Sequence, residues 1–572
     1  MSSPEEPADL FGDPAPAAVP DPPATVREPL AALAAAALFD LLIYRTGGYA
    51  AAGLFLLGGV PLIALGSPFR GANWRGFAVV AGLLILTTGR LVWLGWGGAV
   101  AAGFVLLAAL ALTRCGRPAW TLDVAVFWLQ TLPAAAAAVL NSRHLLQRDP
   151  APERCPGAAP PAGSDGEPTA ASRPWSVLLP IAAGLAFAGL FLLANPDLKA
   201  TVGEWVARVS ARFGDALRWV VPGPVQAFLW VLVGGATLGL LRPLVRESLL
   251  DPLAKLETRQ RTQRRRAAPA DSVAYPAVRN TLLVVVGVFA AYLPFEFLTL
   301  WRRDFPEGFY YAGYAHEGAA WLTVALATAT ALLSALFRGS LLADPRADRV
   351  RRLAWVWSGL NFLLVAAVCN RLLIYVDFNG LSRLRIVGFL GIAAVAGGFA
   401  AVVVKIARDH GFAWLVRRQL RIAALVALVG LLAPIDWIAH SYNAARVRAG
   451  APAPLVLIGN HEIDLGGLLA LEPLLHSDNE IAARGVAGRM VLAEEALDHP
   501  RYRTRTRTRT RGESSPVEKP SGPLGELNRY QLAEVQFHRM LARNRDRIEE
   551  LLADRTAAEA ADALGEYGMR WW

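Results

Sequence analysis

The sequence predicts an all-α integral membrane protein with about 12 transmembrane helices and a small soluble C-terminal region. Of its 572 residues, 54% are hydrophobic and only 18% are charged, and the mean hydropathy is +0.36, a composition typical of a chain that has lipid as its solvent. Apolar stretches recur at close to the roughly 20 residues that a helix needs to cross a bilayer. Three of them, between Ala354 and Asn443, are joined by short loops rich in Arg, Asp and Asn.

Twelve stretches meet this length requirement. The predicted spans are 29–45, 49–66, 76–94, 97–113, 123–141, 175–194, 225–241, 280–300, 319–337, 354–375, 386–407 and 422–439. About five of them form a first group within 29–145, and about seven form a second group within 175–443. A linker rich in Pro, Gly and Ala at 146–174 separates the groups. Helices are predicted because the bilayer core has no water, so the backbone N–H and C=O groups must hydrogen-bond to one another within the chain.

Residues 1–28 are rich in Pro and mostly acidic, which predicts a disordered tail and not a signal peptide. Between the sixth and seventh spans, residues 199–220 have the pattern of an amphipathic helix, which either lies in the headgroup plane or caps the bundle. The loop 242–279 contains the basic run TRQRTQRRR and predicts a cytoplasmic segment.

The apolar pattern stops after Asn443, and three further segments follow. Residues 444–498 are predicted to be a small soluble region. Residues 499–523 are an Arg–Thr low-complexity segment for which a solvated repeat is favoured over contact with anionic lipid or polyphosphate. Residues 524–572 are predicted to form a C-terminal amphipathic helix and tail.

The formal net charge of +10 is expected to lie in cytoplasmic loops, where it can contact anionic lipid, rather than on nucleic acid. Counting Lys and Arg loop by loop places the basic loop inside and both termini outside. Four arginines, Arg70, Arg75, Arg114 and Arg117, fall on the opposite side of that scheme. Apart from the bilayer, no partner is identified.

Ionisable residues inside spans are expensive, so each is a candidate for function. The intramembrane polar candidates are Asp40, Arg90, Glu296 and Asp436. The densest polar segment, NRLLIYVDFNGLSRLR, supplies the candidate residues for a substrate or small anion: Arg371, Tyr375, Asp377, Asn379, Arg383 and Arg385. A self-paired, purely structural hairpin is the alternative interpretation of this segment.

A second polar cluster lies just before a predicted span, and its members are Tyr311, Tyr314, His316 and Glu317. Tyrosines there are typical of an interfacial belt. In the tail, His461 and Glu462 are followed by Asp464 and not by the second His of an H-E-x-x-H motif, so no metal site is predicted. The three cysteines are scattered, no nucleotide-binding or hydrolase motif occurs, and no catalytic residue or cofactor is assigned.

Five pieces of the sequence, in this order, carry a family resemblance: FDLLIY (39–44), LANPD (193–197), YAGYAHEG (311–318), NRLLIYVDFNGLSRLR (370–385) and PIDWIAHSYN (434–443). On these pieces the chain resembles the bacterial polytopic membrane proteins grouped as the domain of unknown function 4153/4173 family. The resemblance implies a multi-pass protein of a bacterial inner membrane and implies no activity.

Three hypotheses for function remain at this point. The first is a non-enzymatic envelope protein that acts in sensing, scaffolding or envelope organisation. The second is a secondary transporter or permease of a small anion or lipid-like molecule, with Arg371, Asp377 and Arg385 at its site. The third, a membrane-embedded enzyme, requires convergent acid–base groups, and only the tail offers them.

Overall fold

The structure is a computed structural model, and it describes residues 25–67, 73–117, 119, 121–131, 133–135, 222–242, 248–266, 275–298, 321–332, 346–408, 410–498 and 531–571. Every regular element within these ranges is a helix, which confirms the all-helical class. Several predicted features lie outside them: most of the N-terminal tail, the linker 146–174, the span 175–194, the helix 199–220, the cluster from Tyr311 to Glu317 and the Arg–Thr segment 499–523.

The first group contains six of the described helices. They are α1 (Arg27–Phe39), which continues as a π-helical turn (Asp40–Tyr44), α2 (Tyr49–Gly66), α3 (Trp74–Trp93), α4 (Gly97–Arg114), α5 (Thr121–Leu129) and α6 (Pro224–Leu241). α2, α3 and α4 pack around the fully buried Leu56, Leu84 and Leu110. α6 was expected in the second group, but it packs on α1 because hydrogen bonds join the two helices at both ends.

The second group is built on long apolar helices. After α7 (Asp251–Arg266), which carries the basic run, come α8 (Tyr275–Glu296), α9 (Trp321–Leu332), α10 (Ala347–Asn379), α11 (Arg383–Ala407) and α12 (Phe412–Leu432). Their shared core contains Trp357, Phe399 and Val402. α12 also packs on α4 and α5, so it joins the two groups.

Seven described helices are long and apolar enough to cross a membrane, namely α2, α3, α4, α6, α8, α10 and α11. The count rises to eight if α12 and the helix after it are taken as one broken span, since the chain bends there by 66°. The prediction of about 12 spans is therefore not confirmed within the described residues. The predicted span 422–439 is not continuous, because the helix breaks at Pro434.

The C-terminal region is a single helical unit. It comprises α13 (Ile435–Arg448), α14 (Leu455–Asn460), α15 (Leu465–Ala470) with a 3-10 turn (Glu472–His476), α16 (Glu480–Asp498), α17 (Leu532–Arg543), α18 (Arg545–Leu551) and α19 (Ala557–Gly568) with a last 3-10 turn (Met569–Trp571). Leu474, Met490, Phe537 and Leu564 are fully buried in one core. The segments predicted separately at 444–498 and 524–572 are thus packed together.

The predicted C-terminal amphipathic helix is divided into α17 and α18, and the predicted tail contains a third helix, α19. Asn544 ends α17 and begins α18, and its amide donates to the carbonyl oxygen of Met540 at 2.9 Å. Thr556 starts α19 with a capping box, in which its hydroxyl accepts from the Glu559 N–H while the Glu559 carboxylate accepts from the Thr556 N–H. Asn544 and Thr556 thus separate three short helices in a segment whose apolar residues recur at helical spacing.

The bundle has two ends, separated by about 37 Å along the 25 residues of α11. The C-terminal region lies at the end where α11 begins, which we call the tail end. α7 lies at the other end, the basic end, where the Glu257 carboxylate accepts the N–H groups of Phe412 and Ala413 at 2.9 and 3.2 Å.

The N-terminal end of α1 is at the basic end. Glu28 accepts hydrogen bonds from Arg242 at the end of α6, while the far end of α1 leads to Tyr49, whose ring lies against Gly95 beside the C-terminal region. Glu28 and the start of α13 therefore lie at opposite ends of the described bundle, whereas the loop count from the sequence placed both termini on one side.

Candidate functional site at the junction of the bundle and the C-terminal region

Two segments that are far apart in the sequence meet at the tail end. Arg383, in the first turn of α11, donates through Nε and Nη2 to the two carboxylate oxygens of Asp436, in the first turn of α13. This two-pronged arrangement is the strongest common geometry for an arginine and a carboxylate. Asp436 is 3% exposed and the Arg383 side chain is 54% exposed, so the guanidinium covers a buried carboxylate from the solvent side.

Asp464 brings the C-terminal region into the same contact. Its backbone N–H donates to Asp436 Oδ2 at 2.9 Å, and its own carboxylate caps α15 by accepting the Gly467 N–H at 2.8 Å. Burial raises the pKa of Asp464 above its ordinary value; the Gly467 N–H opposes the rise, and the negative charge of Asp436 adds to it. The Asp436 carboxylate therefore accepts hydrogen bonds both from Arg383 of the bundle and from the Asp464 N–H of the C-terminal region.

Arg90, in the last turn of α3, completes a balanced set of charges. Its guanidinium interacts electrostatically with Asp464 and Asp436, and it donates to the carbonyl oxygen of Leu94. We call Arg90, Arg383, Asp436 and Asp464 the polar junction. It has two positive and two negative groups drawn from α3, α11, α13 and the cap of α15.

Gly467 allows the polar junction to close. A Cβ atom there would lie 2.9 Å from Cδ2 of His440 and 3.2 Å from Cβ of Asp436. His440 is 6% exposed, and its Nδ1 has no hydrogen-bond partner within the described part of the chain. α15 can approach α13 this closely only because residue 467 has no side chain.

The turn between α10 and α11 is held by Asn443 of α13. The Asn443 carboxamide accepts the Leu381 N–H at 2.7 Å and donates to the Leu381 carbonyl oxygen at 2.8 Å. The preceding Gly380 has a φ of +87°, a conformation that other residues rarely adopt. The fully buried Asn443 side chain thus satisfies both backbone hydrogen-bonding groups of Leu381 in this turn.

The other residues proposed for an anion site make contacts of their own. The Arg385 guanidinium lies 3.7 Å from the centre of the Tyr375 ring and donates to the Gly380 carbonyl oxygen. Asp377 pairs with Arg446 of α13 at 3.2 Å. Asn379 is buried, and its Oδ1 has no hydrogen-bond partner among the described residues.

Arg371 lies deeper in the bundle and does not belong to the junction. Its Nε and Nη2 donate to Glu296 of α8 at 2.6 and 2.5 Å, and the Tyr292 hydroxyl donates to the same carboxylate at 2.7 Å. The Glu296 and Arg371 side chains are 0% and 6% exposed. The intramembrane candidate Glu296 and the anion-site candidate Arg371 thus form a buried ion pair that ties α8 to α10.

Asp40 is likewise paired within the first group. Its carboxylate accepts from Arg45 at 2.6 Å and from the amide of Gln226 on α6. In the described ranges, no three His, Cys, Asp or Glu side chains lie close enough together to hold a metal ion. The arrangement of these charges can fasten helices to one another, and it brings together no nucleophile and base.

A family model described as "Domain of unknown function (DUF4153)" matches residues 75–466. This range covers more than half of the 572 residues. The chain belongs to the DUF4153 family. The resemblance read from the sequence pieces is thereby confirmed. No curated protein and no solved structure matches the chain.

The DUF4153 match begins in α3 and ends two residues after Asp464, so it contains all four members of the polar junction. Sequence reasoning missed two parts of this site: the position of Asp464 beside Asp436, and the role of Asn443. A signal was present, because two of the resembling pieces, 370–385 and 434–443, supply residues that meet.

Proposed function

We propose that this DUF4153 protein is a non-enzymatic, multi-pass protein of a bacterial inner membrane, whose bundle holds the C-terminal region in a fixed position at one membrane face for contact with partner proteins. The observation that carries the proposal is the Arg383 guanidinium bound through two nitrogens to Asp436. The sequence made Arg383 a candidate for binding a substrate or anion, but in the structure its guanidinium binds the carboxylate of Asp436 in the same chain.

Neighbouring contacts support a fastening role. Asn443 satisfies both backbone groups of Leu381, and Arg446 pairs with Asp377, so α13 is tied to both sides of the turn between α10 and α11. Trp93 and Gly95 at the end of α3 donate to Gln536 and Gln531 of the C-terminal region at 3.0 and 2.9 Å. These contacts hold the C-terminal region to two parts of the bundle at once.

A charge-swap experiment tests the proposal. Arg383→Asp alone places two carboxylates together and should lower both the yield and the melting temperature of the purified protein. Combining Arg383→Asp with Asp436→Arg restores opposite charges and should recover stability together with complementation of a deletion phenotype. Recovered stability with lost complementation would overturn the fastening role, since it would mean that the identity of each group matters to a ligand.

Transport of a small anion is the second candidate, and one observation favours it. The break at Pro434, with the buried Asp436 directly after it, is similar to the discontinuous helices at which many transporters bind their substrates. On that hypothesis the anion would displace Asp436 from Arg383. An anion-dependent rise in melting temperature that disappears in Arg383→Ala would support transport over fastening.

A further inference from the structure

An open cleft of about 800 Å³ lies between the bundle and α17 beside the polar junction, and the hydrogen bond from Trp93 to Gln536 joins its two sides at one point. Its lining includes Trp93, Pro434, Trp437, Gln536, Arg539 and Arg543. From its position and its charge we propose that this cleft binds the headgroup of an anionic phospholipid.

The position of the cleft is that of a membrane interface. Trp93 is the last residue of the apolar α3, and Pro434 and Trp437 follow the point at which the chain leaves α12. Tryptophan is enriched at this depth because its ring packs against acyl chains while its N–H faces water. Trp437 is 44% exposed. The bundle side of the cleft can therefore contact the glycerol backbone and the first methylenes of a lipid.

The opposite wall is polar and cationic. Gln536, Arg539 and Arg543 recur at spacings of three and four residues, so they share one face of α17. Arg539 is exposed and has no hydrogen bond or ion pair within the part of the chain that the structure describes. Its guanidinium is thus available to a ligand without breaking any contact among the described residues.

The charge of the cleft selects the headgroup. Arg539 and Arg543 supply two positive charges, and Glu472 supplies one negative charge that is shared between Arg543 at 3.5 Å and the Asn544 amide at 2.9 Å. The surplus of one positive charge favours a phosphodiester without a compensating amine. A zwitterionic headgroup gains less, because its own cation meets Arg539.

The experiment uses the full-length protein in a neutral detergent. Native mass spectrometry measures the binding of phosphatidylglycerol and of phosphatidylcholine to the wild type, Arg539→Ala, Arg539→Ala with Arg543→Ala, and the charge-matched control Arg545→Ala. Arg545 is exposed on α18 and does not line the cleft. Each arginine lost from the cleft should weaken phosphatidylglycerol binding about fivefold, the factor that corresponds to about 1 kcal/mol per cationic side chain at a membrane surface.

The expected pattern is strong phosphatidylglycerol binding by the wild type and by Arg545→Ala, weaker binding by Arg539→Ala, and recovery in Arg539→Lys. Equal losses in Arg539→Ala and Arg545→Ala would overturn the proposal, as would equal binding of the two lipids by the wild type. A binding measurement with glycerol 3-phosphate distinguishes a lipid headgroup from a free phosphate compound as the ligand. If the soluble compound binds as tightly as the lipid, the ligand is a free anion and the lipid proposal is wrong.

Discussion

Glu296 shows how a carboxylate is retained inside an apolar bundle. It has no exposed surface, and its two oxygens receive the Arg371 guanidinium and the Tyr292 hydroxyl. Removing one partner of a buried pair leaves an uncompensated charge and costs about 3–5 kcal/mol, whereas removing both charges is often nearly neutral. The stability cost of replacing either Glu296 or Arg371 therefore depends on which residue occupies the other position.

We expect Arg371→Gln to lower the free energy of unfolding by about 3–5 kcal/mol, because Glu296 is then buried without its cation. The double variant Arg371→Gln with Glu296→Gln should melt at a higher temperature than the single variant. Thermal unfolding of the purified proteins in detergent measures both. A single variant as stable as the wild type would contradict the pairing.

Asp464 gives a prediction that depends on pH. Because burial raises its pKa, the folded protein binds the proton more tightly than the unfolded chain, so the ionised carboxylate costs stability above the raised pKa. The cost disappears below the ordinary Asp value of about 3.9. Asp464→Asn keeps the N-cap of α15, since Asn caps as well as Asp. We expect this variant to be more stable than the wild type at pH 7.

The same comparison at lower pH checks the cause. The stability difference between Asp464→Asn and the wild type should shrink as the pH falls through the raised pKa, and it should vanish once the pH is below the ordinary Asp value of about 3.9. Melting temperatures at a series of pH values decide the matter. If the wild type is the more stable protein at pH 7, the Asp464 carboxylate contributes more through Arg90 and Arg383 than it loses by burial.

At the scale of elements, the turn between α10 and α11 depends on one glycine. Gly380 has a φ of +87°, and a Cβ atom there would lie 2.5 Å from Asn443 Oδ1 and 2.8 Å from Cβ of Pro454. We expect Gly380→Ala to destabilise the protein by at least about 1–3 kcal/mol, the usual cost of a strained backbone. The melting temperature of the purified protein measures the effect.

Gly391 is the matched control for this substitution. It lies inside α11, and a Cβ atom there would meet nothing within 4 Å, so Gly391→Ala should leave the melting temperature almost unchanged. Equal effects at the two glycines would mean that the turn adapts to a side chain and that Asn443 does not fix its conformation.

The apolar helices could be predicted from the sequence where hydrophobic content alone decides them. α2 was predicted as 49–66 and is Tyr49–Gly66, and the C-terminal end of α11 is at Ala407 as predicted. α10 extends seven residues before the predicted start at 354, because a helix can continue into water with Asp348 and Arg351 exposed. Span boundaries set by polar residues are therefore the less predictable ones.

The contacts between elements could not be predicted in the same way. Glu296 and Arg371 are separated by 75 positions, and Leu381 and Asn443 by 62. Nothing in the local pattern of either partner identifies the other. The sequence singled out the charged residues because charges are rare in spans, but it could not show that they bind one another and leave few cationic groups for a ligand.

At the scale of the whole molecule, the two ends of the bundle differ in charge. The described cations of the bundle at the basic end include Arg75, Arg114, Arg117, Arg242, Lys255, Arg408, Arg417 and Arg418, whereas those at the tail end include Arg45, Arg90, Arg383 and Arg385. Arg75, Arg114 and Arg117 contradicted the loop count made from the sequence. In the structure these three arginines lie at the basic end, together with the end of α1 that contains Glu28.

This charge difference predicts the orientation in the membrane. The positive-inside rule places the basic end in the cytoplasm, and the C-terminal region, as a large domain, is translocated largely regardless of its own charge. A reporter inserted at residue 260 should therefore report the cytoplasm, and one fused after Trp572 should report the opposite side. Insertions in the loops at residues 116 and 46 serve as controls, because the first lies at the basic end and the second at the tail end. Agreement between the reporters at 260 and after 572 would show that the crossing between α7 and α13 is not the one seen in the structure, and the anchoring role proposed for the bundle would then be wrong as well.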